Sequence, residues 1–159
     1  MDESIKKKVL QLFPSPIFVV GCKSADQVHA FGGSWLGQCS FKPPIVWVAV
    51  RKDSFPHDLF GVGKYFTVSV LRDDQDKVAR VFFKTPEPKN GKFGKVPFHL
   101  SNKGVPVLDD CLAWVECKVI SKSSPGDHTI FFGEVIDCGF TAADAAVLTT
   151  VSSGMKYGG

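Results

Sequence analysis

The two longest strand-like stretches of the chain, CLAWVECKVI (Cys111–Ile120) and HTIFFGEVIDCG (His128–Gly139), are joined by the turn residues SSPGD, and this pairing limits the possible folds more than any other feature. β-Branched and aromatic residues fill both stretches, which reads as two strands with turn residues between them. Other stretches follow the same grammar. PIFVVGC (Pro16–Cys22) reads as a strand, SADQ (Ser24–Gln27) as the turn into a second one starting near Val28, and PPIVWVAV (Pro43–Val50) as a third. Its prolines stand at the mouth, where no ladder donor is required. FTVSVL (Phe66–Leu71) alternates like a strand with one face in a core, and AVLTTV (Ala146–Val151) is a candidate last strand.

Helical pieces are short and peripheral. Ile5, Val9 and Leu12 keep an i, i+4, i+7 rhythm before Pro14, which predicts a short amphipathic helix lying against one end of the fold. Asp53 or Ser54 is placed to cap a second short helix that Gly61 or Gly63 would end. RDDQDKVARVFF (Arg72–Phe83) predicts a third, carried by Val78, Val81 and Phe82. About seven strands without regular strand–helix alternation argue for an all-β, closed or nearly closed barrel with helical decoration, and against a doubly wound sheet. The segment from Lys84 to Val107 contains four prolines, three glycines and five lysines without a sustained period. A loop that long is expected to cover something, so it reads as a lid.

A chain of 159 residues, 44% apolar and 22% charged, is long enough to bury a core without disulfides or a structural metal, and a single domain over residues 1–159 is expected. No apolar run approaches the roughly 20 residues of a spanning helix, so no membrane segment is expected. The N-terminus MDESIKKKVLQLF lacks the uninterrupted apolar core and small-residue cleavage site of a secretory signal, which places the protein in the cytoplasm or a similar reducing space. Five cysteines, an odd number with no C-x-x-C pair, suggest buried thiols and neither a disulfide framework nor a zinc ribbon. A net charge of +3 implies no nucleic-acid partner. The lid lysines interleave with Phe93 and Phe98, but no basic stripe extends elsewhere, and a solvated, anion-attracting loop is the reading adopted.

Spacing removes the familiar catalytic motifs. Gly32 to Gly37 has G-x-x-x-x-G spacing, but Gln38 and Cys39 stand where a phosphate loop needs Lys and Ser/Thr. GVGKYF lacks a third glycine and precedes a strand, where a dinucleotide fingerprint needs a helix. His29, His57, His99 and His128 are scattered with no H-x-x-x-H pair, so no metal is expected, and no G-x-S-x-G elbow is present. His57 reads as a helix-surface histidine.

HAFGGSWLGQCSFKPP (His29–Pro44) remains unexplained by these tests. If Ser34–Phe41 is extended, Ser34, Leu36, Gln38 and Ser40 face one side and Trp35, Gly37, Cys39 and Phe41 the other. Neighbouring glycines let a ligand approach the backbone, so a flat polar heterocycle suits this wall. Arg51, Lys52 and Ser54 follow the next strand at a helix start, where cations, a hydroxyl and free backbone donors favour a phosphate. A ring at one end and a phosphate at the other describe a nucleotide-like ligand.

Together with FPSPIFVVG before it, PVLDDCLAWVECKV and GDHTIFFGEVIDCG after it, and GMKYGG at the end, this segment resembles the flavin reductase-like, FMN-binding split-barrel family. The resemblance covers nearly the whole chain. It implies a six-stranded antiparallel Greek-key split β-barrel with short peripheral helices, a homodimer with FMN at or near the subunit interface, and hydride transfer from NADH or NADPH to flavin. Carried over by residue, Gly33, Ser34, Leu36, Gln38, Cys39 and Ser40 match the wall around the isoalloxazine and ribityl chain, and Trp35 its usual aromatic. Arg51, Lys52, Ser54 and Phe55 match the phosphate-side turn, and Lys92 a lid lysine that reaches the flavin. His128 matches the residue that contacts and polarises the nicotinamide amide, and Tyr157 the aromatic bordering the ring. Relatives often carry Thr at the positions of Gly32 and Gly37, so two hydroxyl contacts are missing here. His29 replaces a commoner Asn and is expected to hydrogen-bond across its hairpin. An alternative within the family is a non-enzymatic, flavoredoxin-like FMN protein that exchanges electrons with a protein partner. A third reading, an interaction module with an empty pocket, rests on the two glycines.

Overall fold

The computed structural model describes residues 1–141 and 144–158. In chain order the elements are α1 (Glu3–Leu10), β1 (Phe18–Lys23), β2 (Val28–Gly33), β3 (Leu36–Ser40), β4 (Ile45–Arg51), a 3-10 turn (Phe55–Leu59), β5 (Tyr65–Val70) and α2 (Asp76–Phe82). Four short strands follow, β6 (Pro88–Lys89), β7 (Lys92–Phe93), β8 (Val96–Leu100) and β9 (Pro106–Leu108), then the long hairpin β10 (Ala113–Ser123) and β11 (His128–Phe140), and α3 (Thr150–Ser153). The protein is mostly β and every strand pair is antiparallel.

Seven strands form the main sheet in the order β2-β1-β5-β10-β11-β4-β3. Six were expected. The extra strand arises because the His29–Ser40 run breaks at Ser34–Trp35, sending β2 to one end of the sheet and β3 to the other. Among the described residues no ladder joins β2 to β3, so the sheet is not closed. It nevertheless curls. Phe31 of β2 and Phe131 of β11 lie with ring centroids 6.1 and 4.9 Å from Phe60. A flat sheet would hold strands four ladder steps apart at about 19 Å.

Two cores lie on either side of this sheet. The inner one gathers Phe18, Val20, Val48, Val50, Phe66, Val68 and Phe131 around Phe60. The outer one packs Ile17, Val19, Leu71, Phe82, Phe93, Leu108 and Leu148 under α2 and the short strands. β1 feeds both, since Phe18, Val20 and Cys22 face inward while Ile17 and Val19 face outward. This explains why its sequence is a continuous apolar run and not an alternating one.

The segment expected to be a lid is instead a second, four-stranded sheet, β6-β7-β8-β9, docked on the outer face of the main sheet. Buried polar groups hold it there. Thr67 Oγ1 donates to the Pro106 carbonyl at 2.5 Å, and Ser69 Oγ accepts from Leu108 N at 3.1 Å. Glu116, 1% exposed, accepts from Ser101 Oγ and from Lys103 N at 3.2 Å. The expected last strand, Ala146–Val151, is an extended segment with two single bridges, Arg72 to Val147 and Pro16 to Thr149, before α3 begins. The first helix forms with Asp2 as its N-cap, accepting from Ser4 N at 2.8 Å and Ile5 N at 3.1 Å, but Ile5, Val9 and Leu12 remain exposed and none of its residues is buried. No helix among the described residues is long and apolar enough to cross a membrane.

Candidate functional site

The break between β2 and β3 is where a site forms. Gly33, Ser34 and Trp35 line a cavity of about 380 Å³ together with Arg51 at the end of β4 and Ser54 beyond it, Phe82, Phe83 and Thr85 at and after the end of α2, and Met155, Lys156 and Tyr157 of the C-terminal segment. That volume falls in the range of small-ligand pockets. Ser34 and Trp35 face the same cavity, although strict alternation predicts opposite sides. The reason is local: regular pairing of β3 starts only at Leu36, and the two residues before it cross between the ends of the sheet. Ser34 is 8% exposed, and its Oγ is buried without a hydrogen-bond partner among the described residues. A buried hydroxyl left unpaired costs stability, so the natural complement is a polar atom of a ligand.

Side chains from three places meet beside Ser34. Trp35 lies 4.6 Å from the His128 ring and 5.1 Å, edge to face, from Tyr157. His128 opens β11, where its register partner is Arg51. Its Nδ1 lies 2.8 Å from Asp127 Oδ1 and its Nε2 2.9 Å from the Tyr157 hydroxyl. A carboxylate only accepts, so Nδ1 carries a proton, and in the neutral ring Nε2 is an acceptor to which Tyr157 donates. The hydrogen bond from His128 holds the Asp127 carboxyl below its ordinary value, and burial pushes the Tyr157 phenol up.

The phosphate-side residues are drawn in on themselves. Arg51 donates Nε to Asp53 Oδ1 at 2.9 Å, which raises the guanidinium pKa further, and Ser54 Oγ donates to the Arg51 carbonyl at 2.7 Å. Lys52 reaches the Ser124 carbonyl at 3.3 Å, and the Lys52 backbone N–H donates to the Asp127 carbonyl at 2.9 Å. The expected helix start is a five-residue 3-10 turn led by Pro56, and Ser54 makes no side-chain cap to it. Free backbone donors therefore contribute less here than a longer helix would supply. Phe55 is exposed and stands edge-on to His29 at 5.0 Å. His29 Nε2 is 3.3 Å from Ser24 Oγ, a contact across the hairpin turn. His57 is half-buried against Phe131, with Nε2 2.8 Å from Thr129 Oγ1.

Several expected residues lie elsewhere. Leu36 lines a second cavity of about 430 Å³, with Leu10, Phe13, Trp47 and Gly158, that shares Ser34, Trp35 and Tyr157 with the first. Gln38 and Cys39 are exposed, Gln38 Nε2 donates to the Ser40 carbonyl at 3.1 Å, and none of Gln38, Cys39 and Ser40 lines either cavity. Lys92 is exposed on β7 because its neighbour Phe93, 0% exposed, anchors that strand in the outer core. The two glycines that replace threonines are filled by aromatics. A Cβ at Gly32 would stand 2.8 Å from the Phe83 ring, and one at Gly37 would stand 2.7 Å from Trp47 Nε1. Phe83, Thr85 and Met155 were not foreseen as lining residues. The only available signal was their nearness to an α2 stop and to Tyr157.

An antiparallel sheet that curls around one core holds, at its break, a cluster of aromatics, an oriented imidazole and a buried hydroxyl. Residues 10–158 match the flavin reductase like domain, and the chain belongs to that family. It is 30% identical over 152 residues to the NADH-dependent flavin reductase StyB of Pseudomonas fluorescens, covering 91% of this chain and 83% of that one. It is 29% identical over 136 residues to diflavin flavoprotein A 1 of Synechocystis sp., covering 85% of this chain but only 24% of the relative, so it spans about a quarter of the diflavin proteins it matches. The solved structure of the NADH:FAD oxidoreductase SgcE6 of Streptomyces globisporus superposes with a TM-score of 0.80 at 28% identity, over 94% of this chain and 90% of that one.

Proposed function

We propose that this chain is a flavin reductase that passes a hydride from NADH or NADPH to FMN, with the seam between β2 and β3 as its active site. The observation that carries this reading is the unpaired Ser34 hydroxyl, buried between Trp35 and the cavity that Arg51 and Tyr157 also line. A bound flavin supplies the hydride acceptor and a nicotinamide the donor. The chain's own residues orient and enclose them, and none is required as a nucleophile. Ser34 and the backbone of Gly33 hold the ring, and Trp35 packs at its border. Arg51 and Lys52 attract the phosphate, although the Asp53 pairing of Arg51 must be shared or exchanged for it to do so. His128, oriented by Asp127, presents an acceptor for the nicotinamide carboxamide. The Gly32 and Gly37 positions add no hydroxyls, so affinity rests on fewer contacts and favours an exchanging flavin.

The partner surface fits a second copy of this chain. Phe41 and Phe140 are 85% and 84% exposed, and Ile136 of β11 is exposed too, more large apolar surface than water favours. In this reading the main sheet corresponds to the family's split barrel, the homodimer works in the cytoplasm, and the reduced flavin serves an acceptor protein. A second reading, an electron-transfer domain acting with another protein, is favoured by one observation, the match to a quarter of the much longer diflavin flavoproteins. One experiment separates them. FMN-loaded protein is mixed anaerobically with NADH or NADPH, and loss of the yellow flavin absorbance within turnover time is the expected result. Persistent colour with both nucleotides, but bleaching by a reduced electron-transfer protein, would establish the second reading in place of the first.

A further inference from the structure

The C-terminal segment occupies the site it borders. Met155 packs against the outer core, and beyond it Lys156 and Tyr157 continue along the cavity that Ser34 and Arg51 line. Gly158 lies over Trp35 and accepts a hydrogen bond from Gln11 Nε2 at 3.1 Å. Tyr157 borders both cavities and, with Trp35, forms the wall between them, yet it remains 45% exposed. Its hydroxyl is anchored at 2.9 Å on His128 Nε2. Because Asp127 fixes the proton on Nδ1, Nε2 offers one lone pair in the neutral ring, and one lone pair takes one strong donor.

We propose that Tyr157 is a resident competitor of the hydride donor: its hydroxyl holds the His128 acceptor that a nicotinamide carboxamide N–H needs, so Lys156–Gly158 must swing away from Trp35 before the nicotinamide ring is seated. This inference rests on the flavin reductase reading. Among the described residues the displaced segment is held by two hydrogen bonds and by the aromatic edges of Tyr157 against Trp35 and His128, a hold weak enough for a ligand to break. Its withdrawal takes the Tyr157 side out of the wall between the two cavities and leaves Trp35, which makes room for a second ring beside the flavin ring. Until then the competent state is only partly populated, and the apparent affinity for nicotinamide is reduced by that fraction.

Lys156 is exposed, so trypsin can report on the segment. FMN-loaded, full-length protein is pulsed with trypsin with and without NAD⁺, which binds without turnover, and release of the residues after Lys156 is followed by mass. NAD⁺ is expected to raise cleavage after Lys156 severalfold without changing cleavage at Lys92. Tyr157→Phe, which keeps the ring and removes the donor, is expected to show the raised rate without NAD⁺ and to bind NAD⁺ about two- to tenfold more tightly. Equal NAD⁺ affinity in both proteins, or slower cleavage when NAD⁺ is bound, overturns the Tyr157 inference alone. Absence of NAD⁺ binding to both proteins overturns the reductase reading and this inference together.

Discussion

Ser34 has opposite effects on an empty protein and a loaded one. Removing a buried hydroxyl that lacks a partner relieves an unpaid desolvation, so Ser34→Ala is expected to leave the ligand-free protein as stable or up to about 1 kcal/mol more stable. The same change removes a ligand contact and is expected to weaken FMN binding about five- to tenfold. Thermal unfolding with and without FMN reads both effects, and a loss of ligand-free stability with unchanged FMN shift would contradict the assignment. Of the residues lining the cavity, Ser34, Arg51 and Ser54 carry local signals, a polar residue amid glycines and a cation with a hydroxyl at the end of an apolar strand, whereas Trp35 and Tyr157 enter only through the family resemblance. Asp127 and Phe83 were not legible. Asp127 acts only through an imidazole whose orientation the fold decides, and Phe83 matters because Gly32, far away in sequence, leaves it room.

Among the elements, the strands of the main sheet were readable and the second sheet was not. β1, β4, β5, β10 and β11 announce themselves through apolar runs bounded by turn residues. β6 to β9 are two to five residues long, carry Pro and Lys, and are separated by glycine-bearing turns, so no period survives to be counted. Their order comes from tertiary contacts, above all Phe93 stacked on Phe98 at 4.5 Å and the polar ties of Thr67, Ser69 and Glu116. The junction between β5 and α2 offers a pH test. Arg72 Nη1 donates to Asp110 Oδ1 at 2.6 Å, and this hydrogen bond holds the Asp110 carboxyl below its ordinary value of 3.8. A carboxyl depressed by folding stabilises above its unfolded value and loses that contribution as pH falls through the folded one. Asp110→Asn is therefore expected to cost about 1 kcal/mol or less at neutral pH, since the Asp110 carboxylate is itself mostly exposed, and its deficit should fade as pH falls below 3.8 toward the lowered folded value. Denaturant melts at a series of pH values check this, and a deficit that persists unchanged well below pH 3.8 would refute it.

For the whole molecule, assembly is the feature that composition hints at and pattern cannot locate. Fourteen phenylalanines exceed what two cores consume, and Phe41 and Phe140 stand almost fully in water. Phe140→Asp is expected to convert a dimer to a monomer in sedimentation at micromolar concentration while leaving the unfolding temperature of the subunit within a few degrees. A wild-type protein that is monomeric at those concentrations would remove the homodimer from the reading. The seam has a different consequence. β2 and β3 end the strand order on opposite sides, yet Ser34 and Trp35 alone join them along the chain. A ligand gripping that pair therefore works like a buckle on a belt: it restrains both margins of the sheet at once. Amide hydrogens on β2 and β3 should slow their exchange together when the site fills, although the two strands share no ladder.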